Sequence, residues 1–324
     1  MTNINHVNQV SRVNRAIPEE FISRYAGIVD DSEKFLASLD KYPPKAFRVN
    51  TIKAEREEII AKFSEYNIGI SPVSFYSDAF TTNNLEIGST LEHFLGKIYI
   101  QELPSMLPPL LVRKELENEN IRLVVDGCAA PGSKTTQCAA LMQNRGLLIA
   151  NDIDYTRTKA LKFNTEKCGT FNTVIVNRDF RHLPNFGADV VILDAPCSAE
   201  GTARKNYEVF LRWSSKKIAG HATLQKQLIL KGYDMLRSGG VMIYSTCTFA
   251  PEENEGVVSH LIEKRSDAVI EQIEEDAQLS PFKFGPAIMK WQEEAFPKAV
   301  SACRRVWPHH NDTGGFFLCK VRKK

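Results

Sequence analysis

Leu123-Val124-Val125-Asp126-Gly127-Cys128-Ala129-Ala130-Pro131-Gly132-Ser133-Lys134-Thr135 is an apolar run ending in an acid, then a loop of small residues, then a helix start. A buried strand that feeds a helix through such a turn is the opening unit of an open α/β sheet. Ligands of such sheets bind at the carboxyl ends of the strands. Small residues let backbone amides approach a ligand, and the helix N-terminus favours a carboxylate or phosphate. A phosphate-binding loop needs Gly, four residues, Gly, then Lys directly. Gly127 and Gly132 have that spacing, but Ser133 intervenes before Lys134.

Downstream, short apolar runs alternate with helical segments. Residues 147–150, 173–176, 189–193 and 241–244 read as buried parallel strands. Helices are expected over 135–142, over 155–168 with Gly169 as terminator, and over 214–236, closed by Ser238-Gly239-Gly240. Phe316-Phe317-Leu318-Cys319 reads as a last strand. The pattern predicts an α/β fold, a mostly parallel doubly wound sheet.

Upstream lies a different mix. Ile17-Pro18-Glu19-Glu20 opens a helical stretch towards Leu39, ended by Tyr42-Pro43-Pro44. Strands at 47–50, 73–76 and 97–100 and a helix at 55–66 make a smaller α+β unit. The expected division is a disordered 1–16, an accessory domain at 17–112 and the main domain at 113–324.

Composition excludes several classes. Of 324 residues, 43% are hydrophobic and 25% charged, as in globular proteins with a sizeable core. Lys plus Arg at 41 against Asp plus Glu at 39 leaves a net charge of +2, so any nucleic-acid surface must be local. The polar, Asn-rich start has no signal-peptide core, and no window nears the ~18 apolar residues of a membrane span. Seven cysteines, scattered and with no C-x-x-C pair, argue against a disulfide framework or zinc ribbon. No metal is expected, and a reducing cytoplasm is.

The remaining strand ends carry chemistry. Asp152 closes the second strand, where an acid can accept from ribose hydroxyls; Asp179 follows the third and is placed to accept from an adenine amine. The fourth strand ends in Asp194-Ala195-Pro196-Cys197-Ser198, the fifth in Ser245-Thr246-Cys247-Thr248, followed by Pro251-Glu252-Glu253-Asn254-Glu255. Adjacent fourth and fifth strands bring Cys197 and Cys247 into one pocket.

Together these motifs resemble the Sun family of RNA cytosine-5 methyltransferases. The resemblance extends to Phe47-Arg48-Val49-Asn50-Thr51, Gln101–Ser105, Arg305-Val306-Trp307-Pro308-His309 and Gly315-Phe316-Phe317. Two places depart from it: Ser133 replaces a frequent second Gly, and Ala199-Glu200 stand where Gly and a small residue are common. The resemblance implies a Rossmann-like class I methyltransferase domain using S-adenosyl-L-methionine. Cofactor contacts are then expected from Cys128, Ala129, Ala130, Pro131, Gly132, Ser133, Lys134, Asp152, Arg157, Asp179 and Asp194. It assigns the nucleophile to Cys247 and assistance in its release to Cys197. A thiolate adding at carbon 6 of cytosine makes carbon 5 nucleophilic. Asp194 is the candidate to hydrogen-bond ring nitrogen 3, for which it must carry or share a proton. Lys134 either steadies the Cys247 thiolate or orients Asp194.

For RNA contact the sequence offers Arg204, Lys205, Arg212, Lys216 and Lys217 interleaved with Tyr207, Phe210 and Trp213. Arg304, Arg305, His309 and the basic tail at 320–324 form a second cluster. Because the chain ends soon after the last strand, transfer RNA is the expected substrate, with ribosomal RNA as the alternative and a monomer as the simplest assembly. Two other classes stay open on the residues alone: a P-loop NTPase, with Asp194 closing a metal-holding strand, and an inactive RNA-binding protein. The displaced Lys134 speaks against the first, and the presence of Cys247 and Asp194 against the second.

Overall fold

The computed structural model describes residues 17–273 and 279–324; the expectation for 1–16 lies outside them. The chain opens with two helices, α1 (Glu19–Ala26) and α2 (Ser32–Leu39), rather than one continuous stretch. Gly27 caps the first, and the Asp31 carboxylate accepts from Lys34 N to start the second. The small sheet follows: β1 (Lys45–Val49), α3 (Arg56–Glu65), β2 (Ile70–Pro72), β3 (Ala79–Thr82) and β4 (Ile98–Ile100), in the order β2-β3-β1-β4. The strand expected at 73–76 is instead the turn between β2 and β3. Its apolar character comes from Phe75 and Tyr76, which are buried against the main domain.

The main domain comprises β5 (Leu123–Asp126), α4 (Ser133–Leu141), β6 (Leu147–Asn151), α5 (Tyr155–Cys168), β7 (Thr173–Val176), β8 (Ala188–Asp194), α6 (Ser215–Asp234), β9 (Leu236–Thr246), α7 (Glu255–Lys264) and β10 (Ala268–Glu271). Short strands β11 (Gly285–Pro286), β12 (Lys290–Trp291), β13 (Glu294–Ala295) and β14 (Arg304–Val306) lead to the long β15 (Phe316–Lys323). The sheet order is β11-β14-β15-β9-β8-β5-β6-β7. Strands β5 to β9 pair in parallel, and β15 runs antiparallel against β9.

Two further corrections concern local chemistry. Helix α6 stops at Asp234, and Ser238-Gly239-Gly240 lie inside β9. The glycines sit at an irregularity in the β8–β9 pairing, where Gly239 takes φ +77° and Gly240 passes close to the Ala188 carbonyl. The basic end of the chain is not a free tail, because β15 runs to Lys323 and its Lys320 and Arg322 pair with Glu115 and Glu271. No helix among the described residues is long and apolar enough to cross a membrane.

Helices α1 and α2 do not cover the small sheet. Phe21, Tyr25, Phe35 and Leu39 form a buried cluster with Ala203, Phe210, Phe249 and Trp307 of the main domain. The turn between them is pinned from the far end of the chain, where His309 and His310 both meet the Asp30 carboxylate, at 2.7 and 2.8 Å.

Candidate active site

Strands β5, β6, β8 and β9 end on one rim, and a cavity of about 470 Å³ opens there. Its walls include Gly127, Cys128, Ala130, Asp152, Arg157, Asp179, Asp194, Cys197 and Cys247. Residues from five widely separated motifs therefore share one opening. A Cβ on Gly127 would stand 2.9 Å from the Phe180 ring, so that wall can be built only with glycine.

The rest of the small-residue loop plays another part. Ala129, Pro131, Gly132, Ser133 and Lys134 are not among the residues lining the cavity. The loop is tied down instead: Asn164 donates to the Pro131 carbonyl, Arg157 to that of Ala130, and Ala130 N donates to the Asp152 carboxylate. Asp152 is 3% exposed and also accepts from Asp154 N, so it builds the turn as well as facing the cavity. Asp179 is gripped by Arg181 through side chain and backbone, which holds its carboxyl below the usual carboxylate range.

Lys134 is buried rather than solvent-facing. Its ammonium donates to Asp194 Oδ2 at 2.6 Å and to Ser105 Oγ at 2.9 Å. Burial works against that charge, but the carboxylates of Asp194 and Asp126 outweigh it, and the lysine is held protonated. Asp194 Oδ1 accepts from Ser245 Oγ at 2.8 Å. Both carboxylate oxygens thus face donors, the Lys134 ammonium on one side and the Ser245 hydroxyl on the other. Burial pushes the neighbouring Asp126 up to about 7, with the Thr135 hydroxyl pulling the other way.

The two thiols meet. Cys197 Sγ lies 3.3 Å from Cys247 Sγ, and all seven cysteines are free. The hydrogen bond to Cys247, then burial, raises the Cys197 thiol well above its ordinary value. Backbone crossings fix the turns that carry them. Gly201 N donates to the Cys247 carbonyl, and Gly315 N to that of Gly201. A Cβ on Gly201 would stand 2.3 Å from the Gly315 carbonyl oxygen, which explains a glycine at each end of the crossing.

Several partners were not singled out from the sequence. Ser105 reaches Lys134 from the junction between the domains. Gln225 and Glu253, both fully buried, hold the backbone on either side of Cys197. Glu200 accepts from Tyr25, Trp213, Thr248 and the Phe249 amide. A polar residue on the inner face of α6 and a glutamate inside a helix-start motif were the available signals. The upstream motifs also find their place, since Arg48 donates to Gln101, Thr136 and the Ser133 carbonyl, binding the small sheet to the first turn of α4.

The expected RNA-contacting stretch is mostly structural. Arg204 is 1% exposed and bonds the Lys41 and Thr313 carbonyls and Asp312. Phe210 is in the α1–α2 cluster, and Lys205 pairs with Glu102. Arg212 and Lys216 remain on the surface. Arg305 is buried against Glu255, and His309 against Asp30, so neither belongs to an exposed basic cluster.

The strand order and the rim cavity define a Rossmann-like methyltransferase domain, with two thiols paired at the cavity wall. The chain belongs to the RsmB/F (Sun) family of S-adenosylmethionine-dependent RNA cytosine-5 methyltransferases. The model of 16S rRNA methyltransferase RsmB/F matches residues 113–322, and that of the RsmF N-terminal domain residues 17–103. The chain is 36% identical to a tRNA (cytosine(49)-C(5))-methyltransferase of Pyrococcus abyssi, over 95% of this chain and 97% of that one. It is 38% identical to ribosomal RNA small subunit methyltransferase F of Vibrio atlanticus, spanning 95% of this chain but 64% of that protein. Among solved structures, a methyltransferase homologue from Pyrococcus horikoshii superposes with a TM-score of 0.81 at 29% identity, over 95% of both chains.

Proposed function

We propose that this chain methylates carbon 5 of cytosine in transfer RNA through a covalent bond from Cys247 to carbon 6 of the base. The observation that carries this reading is the 3.3 Å approach of Cys197 and Cys247 at the wall of the rim cavity. The cavity's donor set fits S-adenosylmethionine: Asp152 and Asp179 suit hydroxyl and amine groups, and Ile153, Phe180 and Leu228 offer an apolar surface to adenine. When bound, the cofactor supplies an electrophilic methyl group.

Cys247 adds to carbon 6, and the ring electrons displaced onto the pyrimidine make carbon 5 a nucleophile. Asp194, held by Lys134 and Ser245, faces the same cavity and orients the base edge. A proton for ring nitrogen 3 comes from the buried Lys134 ammonium through this contact. After methylation the carbon 5 proton leaves, its electrons reform the ring double bond, Cys247 departs as thiolate, and ring nitrogen 3 returns its proton to Lys134 through the same contact. Bonding of Cys247 to carbon removes the chief cause that keeps Cys197 protonated. Cys197 then loses its proton to water and takes the one from carbon 5. Base and thiol must meet directly, so the cytosine is presented unstacked. Free thiols and an RNA substrate fit a reducing cytoplasm. Every residue used comes from one chain, in keeping with a monomer.

Transfer RNA is favoured by the Pyrococcus abyssi relative, matched over nearly all of both chains. Small-subunit ribosomal RNA is the second reading, favoured by the Vibrio atlanticus relative at 38% identity. Bisulfite sequencing of total RNA from cells with and without the gene tests both. Loss of protection at one tRNA cytosine supports the first reading, loss in ribosomal RNA the second, and loss at neither overturns both.

A further inference from the structure

Cys197 is gripped from both sides by one carboxylate oxygen. Ser198 N donates to Glu253 Oε2 at 3.0 Å. Gln225 Nε2 donates to the same oxygen at 2.8 Å and to the Pro196 carbonyl, also at 2.8 Å. The residues before and after the cysteine are therefore fixed by Glu253 and its glutamine. The other oxygen, Oε1, lies 3.4 Å from Thr248 Oγ1, one residue past Cys247. That hydroxyl also meets Ser198 Oγ at 2.7 Å, closing a ring between the two cysteine turns.

Glu253 is 0% exposed, and no salt bridge joins it among the described residues. A buried carboxyl without a cation costs stability, so packing alone does not account for it. Its side chain meets Ser198, Thr248 and Gln225, and Gln225 carries the tie on to the Pro196 carbonyl, so the chain is held at the immediate neighbours of the two thiols. Glu253 also faces Glu200, and among titratable groups its field acts on Cys197 and Tyr244.

We propose that Glu253 is a positioning residue for Cys197, holding its thiol where it acts on the Cys247–cytosine bond after methyl transfer. The inference rests on the reading of Cys247 as nucleophile and Cys197 as the group that assists release. Addition and methyl transfer depend on Cys247, which follows β9 and is held through its carbonyl by Gly201 N. Glu253 reaches that turn only by the 3.4 Å approach to Thr248. Loss of Glu253 then slows release selectively. Carbon 5 keeps its proton, the sulfur–carbon 6 bond persists, and protein remains attached to RNA.

The test uses the full chain with S-adenosylmethionine and tRNA from cells lacking the gene. Attached RNA is scored on denaturing gels, methyl groups are counted, and circular dichroism checks folding. Glu253→Ala is compared with Cys197→Ala, with Glu253→Gln, which keeps an acceptor, and with Gln225→Leu, which breaks the tie to Pro196. Expected are a persistent covalent band in Cys197→Ala, Glu253→Ala and Gln225→Leu, turnover at least about tenfold lower, first-turnover methylation retained, and release largely restored in Glu253→Gln. A band in Cys197→Ala but none in Glu253→Ala or Gln225→Leu overturns this inference alone. Should Glu253→Ala not fold, Gln225→Leu decides by the same criterion. Absence of a band in Cys197→Ala sinks the underlying reading and this one with it.

Discussion

Cys197 and Cys247 sit 50 residues apart in the chain and 3.3 Å apart at sulfur, a contact that, with burial, raises the Cys197 thiol. The proposed mechanism gives them unequal roles. Cys247→Ala is expected to abolish methyl transfer, by 10³-fold or more on the order of lost nucleophilic catalysis, and to form no adduct. Cys197→Ala should still bond RNA and accumulate it. Denaturing gels with labelled tRNA check both, and crosslinking that follows Cys197 instead reverses the assignment.

Lys134 bridges Ser105 and Asp194 while almost wholly buried. Lys134→Met leaves Asp194 without its cation. Methyl transfer should fall about 10²-fold or more, the scale for removing one preorganised electrostatic contact. Lys134→Arg should not restore it, because a planar fork does not fit a site built for a compact ammonium. Single-turnover rates measure this, and wild-type kinetics in Lys134→Met rule the role out.

Arg305 and Glu255 form the most buried ion pair among the described residues, and Arg305 also caps the Phe249 carbonyl at 2.8 Å. Arg305→Met should destabilise by roughly 3–5 kcal/mol, the usual consequence of stranding one buried charge. Adding Glu255→Leu should recover part of that loss. Urea denaturation of the four proteins in the cycle measures the coupling; strict additivity contradicts it.

Ala199 adopts φ +64°, a left-handed backbone in the turn after Cys197. That conformation costs an alanine about 1–2 kcal/mol, and the added unfolded-state freedom of glycine returns about half of it. Ala199→Gly should stabilise by up to about 1 kcal/mol, read as a higher urea midpoint. A lower midpoint means the Ala199 methyl group makes contacts worth more than the strain.

Burial raises Glu253 to about 7 from an ordinary 4.5, the hydrogen bonds from Ser198 and Gln225 opposing. The native state therefore holds a proton that the unfolded chain has released, and its contribution declines as pH rises from about 4.5 to about 7. Glu253→Gln has no such proton. Its stability relative to wild type should rise across that window, by at most on the order of 3 kcal/mol. Thermal melts at pH 5 and 8 check the sign.

Much of this protein was written locally. The run from Leu123 to Asp126, the helix from Tyr155 closed by Gly169 and the strand from Thr173 to Val176 appear where periodicity and turn chemistry put them. Such elements are specified by neighbours within a few residues, and so are the motifs that carry Asp194, Cys197 and Cys247. The outward reading of Arg204, Arg305 and the final basic run failed because charge in a sequence does not reveal its partner. Asp312, Glu255 and Glu271 each lie far along the chain from the cations they hold.

The sequence by itself determined the alternation of strands and helices in the main domain, the strand-end motifs that carry Cys197 and Cys247, and the family. The tertiary structure alone decided which polar groups are buried: Lys134 against Asp194, Glu253 against the Cys197 turn, Tyr25 against Glu200. Desolvation sets the charge state and partner of each such group, and it depends on everything packed around the group. Its own neighbours in the chain cannot encode that.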